Sequence, residues 1–228
     1  MRLCFFLFMF NTLIFSQNIY YPLSIGREWK YQEYGIYGDT GQVETKTVIS
    51  FDRVHDAYKI KNFIDYKNGD PWSSYYLIKE KGEQIIFVSR TANTPESPQY
   101  NSFDDYIHMD SNLSPNSLPP IKVSIYYISD YEVLIEDNFR NKLKWVSKDT
   151  KDHFITREVI DTQTVTVRAG TFNNVVKIKQ TDSLKHRSEI AIYYEYYAPD
   201  VGLIKAEFSW SGMSYRISLS RELIAYKK

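Results

Sequence analysis

The densest gathering of ligand-type side chains in the sequence is Asp104, Asp105, His108 and Asp110. Carboxylates so grouped can hold a hard cation, but they lack the regular spacing of a calcium loop, and the stretch reads as a solvated acidic one. The four histidines, at 55, 108, 153 and 186, make no His-Glu-x-x-His and no i, i+4 pair, so no metal site is expected. No Gly-x-Ser-x-Gly elbow occurs to present a nucleophilic serine, and no glycine loop to cradle a phosphate. Glu132, Glu136, Glu195 and Glu207 lie in strand-like segments, from which two carboxylates could face each other across a cleft as in a glycoside hydrolase. A strand glutamate is more commonly on the wet face, so catalysis and a cofactor are not expected.

Aromatic residues offer binding chemistry instead. The chain has 20 Tyr and 13 Phe, and Tyr193, Tyr194, Tyr196 and Tyr197 put rings on both faces of one strand. One reading makes Ile190, Ile192, Tyr194, Tyr196 and Phe208 the concave face that holds an apolar ligand. An alternative places Trp72, Tyr75 and Tyr76 as a stacking platform for sugar rings. In both cases ordinary core or surface packing is the competing explanation.

These residues must be positioned by strands. From Arg27 onward the chain produces runs of about 6 to 10 residues with period-two alternation, separated by Gly, Asp, Asn or Pro, as half-buried antiparallel strands require. Such runs cover 43–51, 58–66, 72–79, 85–90, 121–128, 131–136, 142–147 and 154–160. Hairpin-like units follow around Ala169-Gly170, Pro199-Asp200 and Ser211-Gly212. Residues 91–120 lapse into Asn, Ser, Asp and Pro, an irregular insertion that is either a lid or a passive excursion. No long helix is required anywhere. The expected fold is all-β: a strongly curved antiparallel sheet or half-open β-barrel, in one domain over 18–228.

Composition sets the compartment and narrows the partners. Arg2 leads into an apolar run that stops at Ser16-Gln17, too short to span a bilayer, so residues 1–17 read as a secretory signal peptide cleaved near that junction. The only cysteine, Cys4, lies inside that segment, which leaves the mature chain without a disulfide. With 28 basic and 28 acidic side chains there is no electrostatic footprint for nucleic acid. Charges such as Asp52, Arg53, Lys177 and Lys179 interrupt any lipid-facing band, so the protein is not expected to span a membrane. The expectation is an exported periplasmic or extracellular protein whose partner is a lipid or other apolar small molecule, or a cell-envelope protein.

Three segments carry a resemblance: Tyr21-Pro22-Leu23-Ser24-Ile25-Gly26-Arg27-Glu28-Trp29-Lys30-Tyr31, Val167-Arg168-Ala169-Gly170-Thr171-Phe172-Asn173-Asn174-Val175, and Tyr197-Ala198-Pro199-Asp200-Val201-Gly202-Leu203-Ile204-Lys205. They resemble exported bacterial proteins of unknown function with a Pro-Leu-x-x-Gly-x-x-Trp-x-Tyr opening, an Ala-Gly-Thr-Phe hairpin and a Tyr-Ala-Pro-Gly-Val-Gly-Leu turn. Asp200 stands where those proteins usually have Gly. The resemblance implies a single curved sheet, like the half-open barrels of periplasmic lipoprotein carriers, and assigns no catalytic residue. One physical expectation joins these readings: a bent β-layer wraps an aromatic interior that has no reactive centre. Ionisable side chains meeting deep in a cleft would count against it.

Overall fold

The computed structural model describes residues 19–35, 40–66, 70–92, 132–136, 139, 144–186, 190–211 and 217–228. The expected signal segment, the acidic cluster at 104–110, the expected strand at 121–128 and the expected insertion beyond Ala92 lie outside the described residues. Among the described residues all twelve elements are strands: β1 Glu28–Tyr34, β2 Thr40–Asp52, β3 Ala57–Asp65, β4 Trp72–Lys81, β5 Gln84–Ala92 and β6 Glu132–Ile135, then β7 Lys144–Asp149, β8 His153–Val167, β9 Gly170–Leu184, β10 Ile190–Ala198, β11 Gly202–Ser211 and β12 Ile217–Lys227.

Every pair of consecutive strands except β6 and β7 is antiparallel and hydrogen-bonded, and β12 returns to pair with β1, giving the order β6-β5-β4-β3-β2-β1-β12-β11-β10-β9-β8-β7. The result is an up-and-down barrel left open along one seam, between β6 and β7. Side chains cross that seam where the ladder does not. Trp145 Nε1 donates to Val133 O at 3.0 Å and Ser147 Oγ to the same oxygen at 2.9 Å.

Alternation reads strand existence well but understates strand length. The expected run at 154–160 and the segment around Val165 and Val167 are one 15-residue strand, β8. Its pairing with β9 shifts register at Val159/Asp161 and again at Gln163/Val165. Each bulge flips which side chains face inward, so a continuous strand looks interrupted in sequence.

Tilted strands in this number enclose more space than an eight-stranded barrel, whose interior side chains just fill. Large residues therefore occupy the inside. An apolar set including Trp29, Val48, Ile60, Ile78, Ile135 and Leu223 is fully or nearly fully buried. The chain's opening locks onto the turn between β10 and β11: Trp29 Nε1 donates to Val201 O, Tyr31 Oη to Leu203 O, and Arg27 Nη1 to Asp200 O. Gly202 turns there with φ +98°, and the Ala169 amide of the β8–β9 hairpin donates to Leu223 O on β12.

Candidate functional site

Inside the barrel a cavity of about 180 Å³ remains, walled by aromatic residues that include Tyr21, Tyr31, Tyr76 and Tyr197. Ionisable side chains meet there too, which counts against the expected aromatic interior without a reactive centre. Four carboxylates, Glu33, Glu44, Glu132 and Glu195, share the wall with Lys46, Arg157 and Arg221. A wide barrel cannot be filled by apolar side chains from strands whose two faces both carry polar residues, and charges taken inside must then be paired.

Two arginines do the pairing. Arg157, on β8 and 1 % exposed, donates through Nη1 to Glu195 Oε2 at 2.7 Å and through Nη2 to Glu132 Oε1 at 3.1 Å. Its Nη1 also reaches Leu134 O at 3.2 Å, so one guanidinium on β8 ties β6 across the open seam and β10 on its other side. Ser147 Oγ shares its one proton between Val133 O and Glu132 Oε1, and Tyr197 Oη donates to Glu195 at 3.0 Å. Arg221 on β12 bridges Glu33 Oε1 at 2.6 Å and Glu44 Oε2 at 2.7 Å. Burial works against the Arg221 charge, but Glu44 and Glu33 more than offset it, and its pKa rises above the ordinary arginine value. The cross-strand register places Glu195, Ala206, Arg221 and Glu33 in one row, with the small Ala206 between the two charged clusters.

Lys46 on β2 lies between the rings of Tyr31 and Tyr76, 5.6 and 5.9 Å from their centroids. Burial lowers its pKa, with Glu44 opposing. Burial also raises the pKa of the Tyr21, Tyr31, Tyr76 and Tyr197 hydroxyls, which stay neutral. The wall is thus one negative charge in excess if Lys46 is protonated.

The sequence-expected ligand face does not hold together. Tyr193, Glu195 and Tyr197 of β10 line the cavity, so the alternate residues Ile190, Ile192, Tyr194 and Tyr196 face outward. Ile190 is 40 % exposed, and Tyr194 and Tyr196 are covered by Lys177 at 4.6 and 5.2 Å. Phe208 is on the inner side, opposite Tyr193 across the β10–β11 pair, with ring centroids 4.7 Å apart. The choice was ambiguous because Tyr193-Tyr194 and Tyr196-Tyr197 give both faces equal aromatic content. Glu195 between two inward tyrosines, facing Ala206 on the next strand, is where the cavity begins.

The aromatic platform is also divided. Tyr76 lines the cavity, and Tyr75 on the other face sits under Lys59 at 4.8 Å; Trp72 shares the inner face, paired with Ile64. Of the four strand glutamates, Glu132 and Glu195 converge inside, bridged by Arg157. Glu136 accepts from Gln84, and Glu207 faces out to Lys205 and Tyr196. No group of three or more metal-ligating side chains occurs among the described residues, and no described helix is long and apolar enough to cross a membrane.

This geometry defines a class: meander β-barrels, open along one seam, with an aromatic and ion-paired interior. The chain belongs to the DUF3108-like family, whose sequence profile matches residues 24–211. Among solved structures it is similar to a Bacteroides fragilis NCTC 9343 protein of YmcC-like fold assigned as exported, with 15% identity, 91% of this chain and 98% of the other covered, and TM-score 0.54. It is likewise similar to a Parabacteroides distasonis ATCC 8503 protein assigned as a lipoprotein, with 16% identity, 92% and 99% covered, and TM-score 0.52. These are likenesses of fold. Among curated proteins nothing matches.

Proposed function

We propose that this is an exported, non-catalytic binding protein of the cell envelope, whose barrel interior takes up a small molecule with an apolar body. The observation that carries the reading is the space of about 180 Å³ left between aromatic walls in the middle of the barrel. It is below the roughly 300–1,000 Å³ of pockets for drug-sized ligands, so the occupant is small, or is one end of a longer chain. A lipid with two acyl chains does not fit.

Pairing argues for binding rather than catalysis. Each cavity carboxylate has a guanidinium within 3.1 Å, so each is engaged in an ion pair rather than left free to act as a general base. The glycan-platform alternative is disfavoured because Tyr75 and Tyr76 point to opposite faces. A water-soluble barrel is supported by Lys59 and Lys61 on β3 and by Lys177 and Lys179 on β9, which alternate with the inward residues Ile60, Asn62, Ile178 and Gln180. Each such lysine at a bilayer midplane costs about 2–4 kcal/mol.

The test is native mass spectrometry of the protein isolated gently from its own host, paired with a thermal-shift survey of small amphiphiles on recombinant protein. A retained small molecule, or a rise in Tm on adding one, supports the reading. Apo protein only, with no shift across the survey, overturns it. The same isolate is expected to start near Gln17.

A further inference from the structure

Lys46 and Asn62 are paired directly across β2 and β3, in an inner-face row that continues to Trp29 on one side and Ser74 on the other. The Lys46 ammonium has three donors, yet the nearest carboxylate oxygen, Glu44 Oε1, is 3.8 Å away, too far for a hydrogen bond. Asn62 is 7 % exposed and lines the cavity, and its Oδ1 is buried without a hydrogen-bond partner among the described residues. Buried polar atoms are nearly always paired, so the unmet Asn62 acceptor, on the residue that faces Lys46 across the ladder, marks a place where something binds.

Charge decides what that is. An entering anion would add to a wall that already carries four carboxylates against three cations, with Glu44 directly beside Lys46. An entering cation would be repelled by Lys46 itself. A neutral group that accepts one hydrogen bond and donates another meets both atoms without adding a charge.

We propose that Lys46 and Asn62 are the recognition point for an uncharged amide or hydroxyl at the end of a short apolar chain, its oxygen accepting from Lys46 Nζ and its N–H or O–H donating to Asn62 Oδ1. This rests on the reading of the cavity as a binding site, and it adds that acids of the same length are rejected. Aromatic walls at Tyr31 and Tyr76 take the chain.

The experiment compares hexanamide, hexanoate and N,N-dimethylhexanamide on the full-length mature protein at pH 7, by calorimetry or amide chemical shifts. Hexanamide is expected to bind at least about tenfold more tightly than hexanoate, which brings a charge, and than the dimethyl amide, which cannot donate. Lys46→Met is expected to weaken hexanamide by about tenfold, and Asn62→Leu to remove its advantage over the dimethyl amide. Equal binding of all three probes to the wild type, which needs no variant, overturns the recognition point and leaves the cavity reading standing. If none of the three binds while the amphiphile survey finds a ligand, the recognition point falls alone. If nothing binds in either experiment, the cavity reading falls and takes this one with it.

Discussion

Replacing Arg157 by Met probes the energetic centre of the barrel. The guanidinium neutralises two interior carboxylates, at 3.1 Å from Glu132 and 2.7 Å from Glu195, and Glu132 is 1 % exposed. After Arg157→Met, Glu132 keeps the bond from Ser147 and Glu195 that from Tyr197, among the described residues. Removing one partner of a buried pair costs about 3–5 kcal/mol, because the remaining charge is stranded in a poor solvent. For a domain of this size that is a fall in Tm of about 6–20 °C.

The cost is expected to depend on pH. A stranded carboxyl has a folded pKa raised above the unfolded value of about 4.3. The folded variant then takes up protons more readily than its unfolded chain, so its deficit is full above the raised pKa and fades as pH falls toward about 4. Urea unfolding followed by tryptophan fluorescence, at pH 7 and at pH 4.5, reads both effects as differences from the wild type. The triple variant Arg157→Met/Glu132→Gln/Glu195→Gln removes the charges together and is expected to return to within about 2 kcal/mol of the wild type at pH 7. A single variant that loses under about 1 kcal/mol, or a deficit equal at the two pH values, refutes the argument that Arg157 acts by compensating buried charge.

Three further outcomes follow from local geometry. Asp200 turns with φ +60° and Gly202 with φ +98°, and the hydrogen bond from Arg27 goes to the main-chain oxygen of residue 200, with the Asp200 carboxylate adding a longer-range attraction. Asp200→Gly is therefore expected to stay within about 1 kcal/mol of the wild type, while Gly202→Ala loses about 1–2 kcal/mol, both by chemical denaturation. His153 Nδ1 is 3.1 Å from Asp182 Oδ1, a hydrogen bond that raises the histidine pKa against the opposing effect of burial. Its stabilising contribution is complete below the unfolded value of about 6.5 and is lost as pH rises through the folded one, so the wild type should exceed His153→Gln most at pH 5.5 and least at pH 8.5. Trp145→Phe removes the 3.0 Å bond to Val133 O across the seam; a loss of about 1 kcal/mol and faster amide exchange in β6 are expected, and unchanged exchange would place the seam's closure elsewhere.

Alternation and turn residues were enough to read an antiparallel, all-strand chain, because hydrophobic period and glycine or proline punctuation are local properties of the backbone. Runs at 58–66, 72–79 and 85–90 correspond closely to β3, β4 and β5. The interior was not legible in the same way. Period two says that a strand has two faces and leaves open which is inside, and in β10 tyrosine doublets made the faces look alike. In β8 two bulges exchanged the faces midway.

The amino-acid sequence alone determined the strand-rich architecture, the near-neutral charge balance and the lack of any cysteine beyond Cys4. Only the tertiary structure decided that Glu195, Tyr193 and Tyr197 face the cavity, and that Arg157 meets carboxylates 25 and 38 residues away while Arg221 meets Glu33 across 188. Pairing of β12 with β1 brings Glu33 to Arg221 and carries β6 round to Arg157, while Glu195 reaches Arg157 across β9; no local pattern encodes contacts between strands that are not consecutive in sequence.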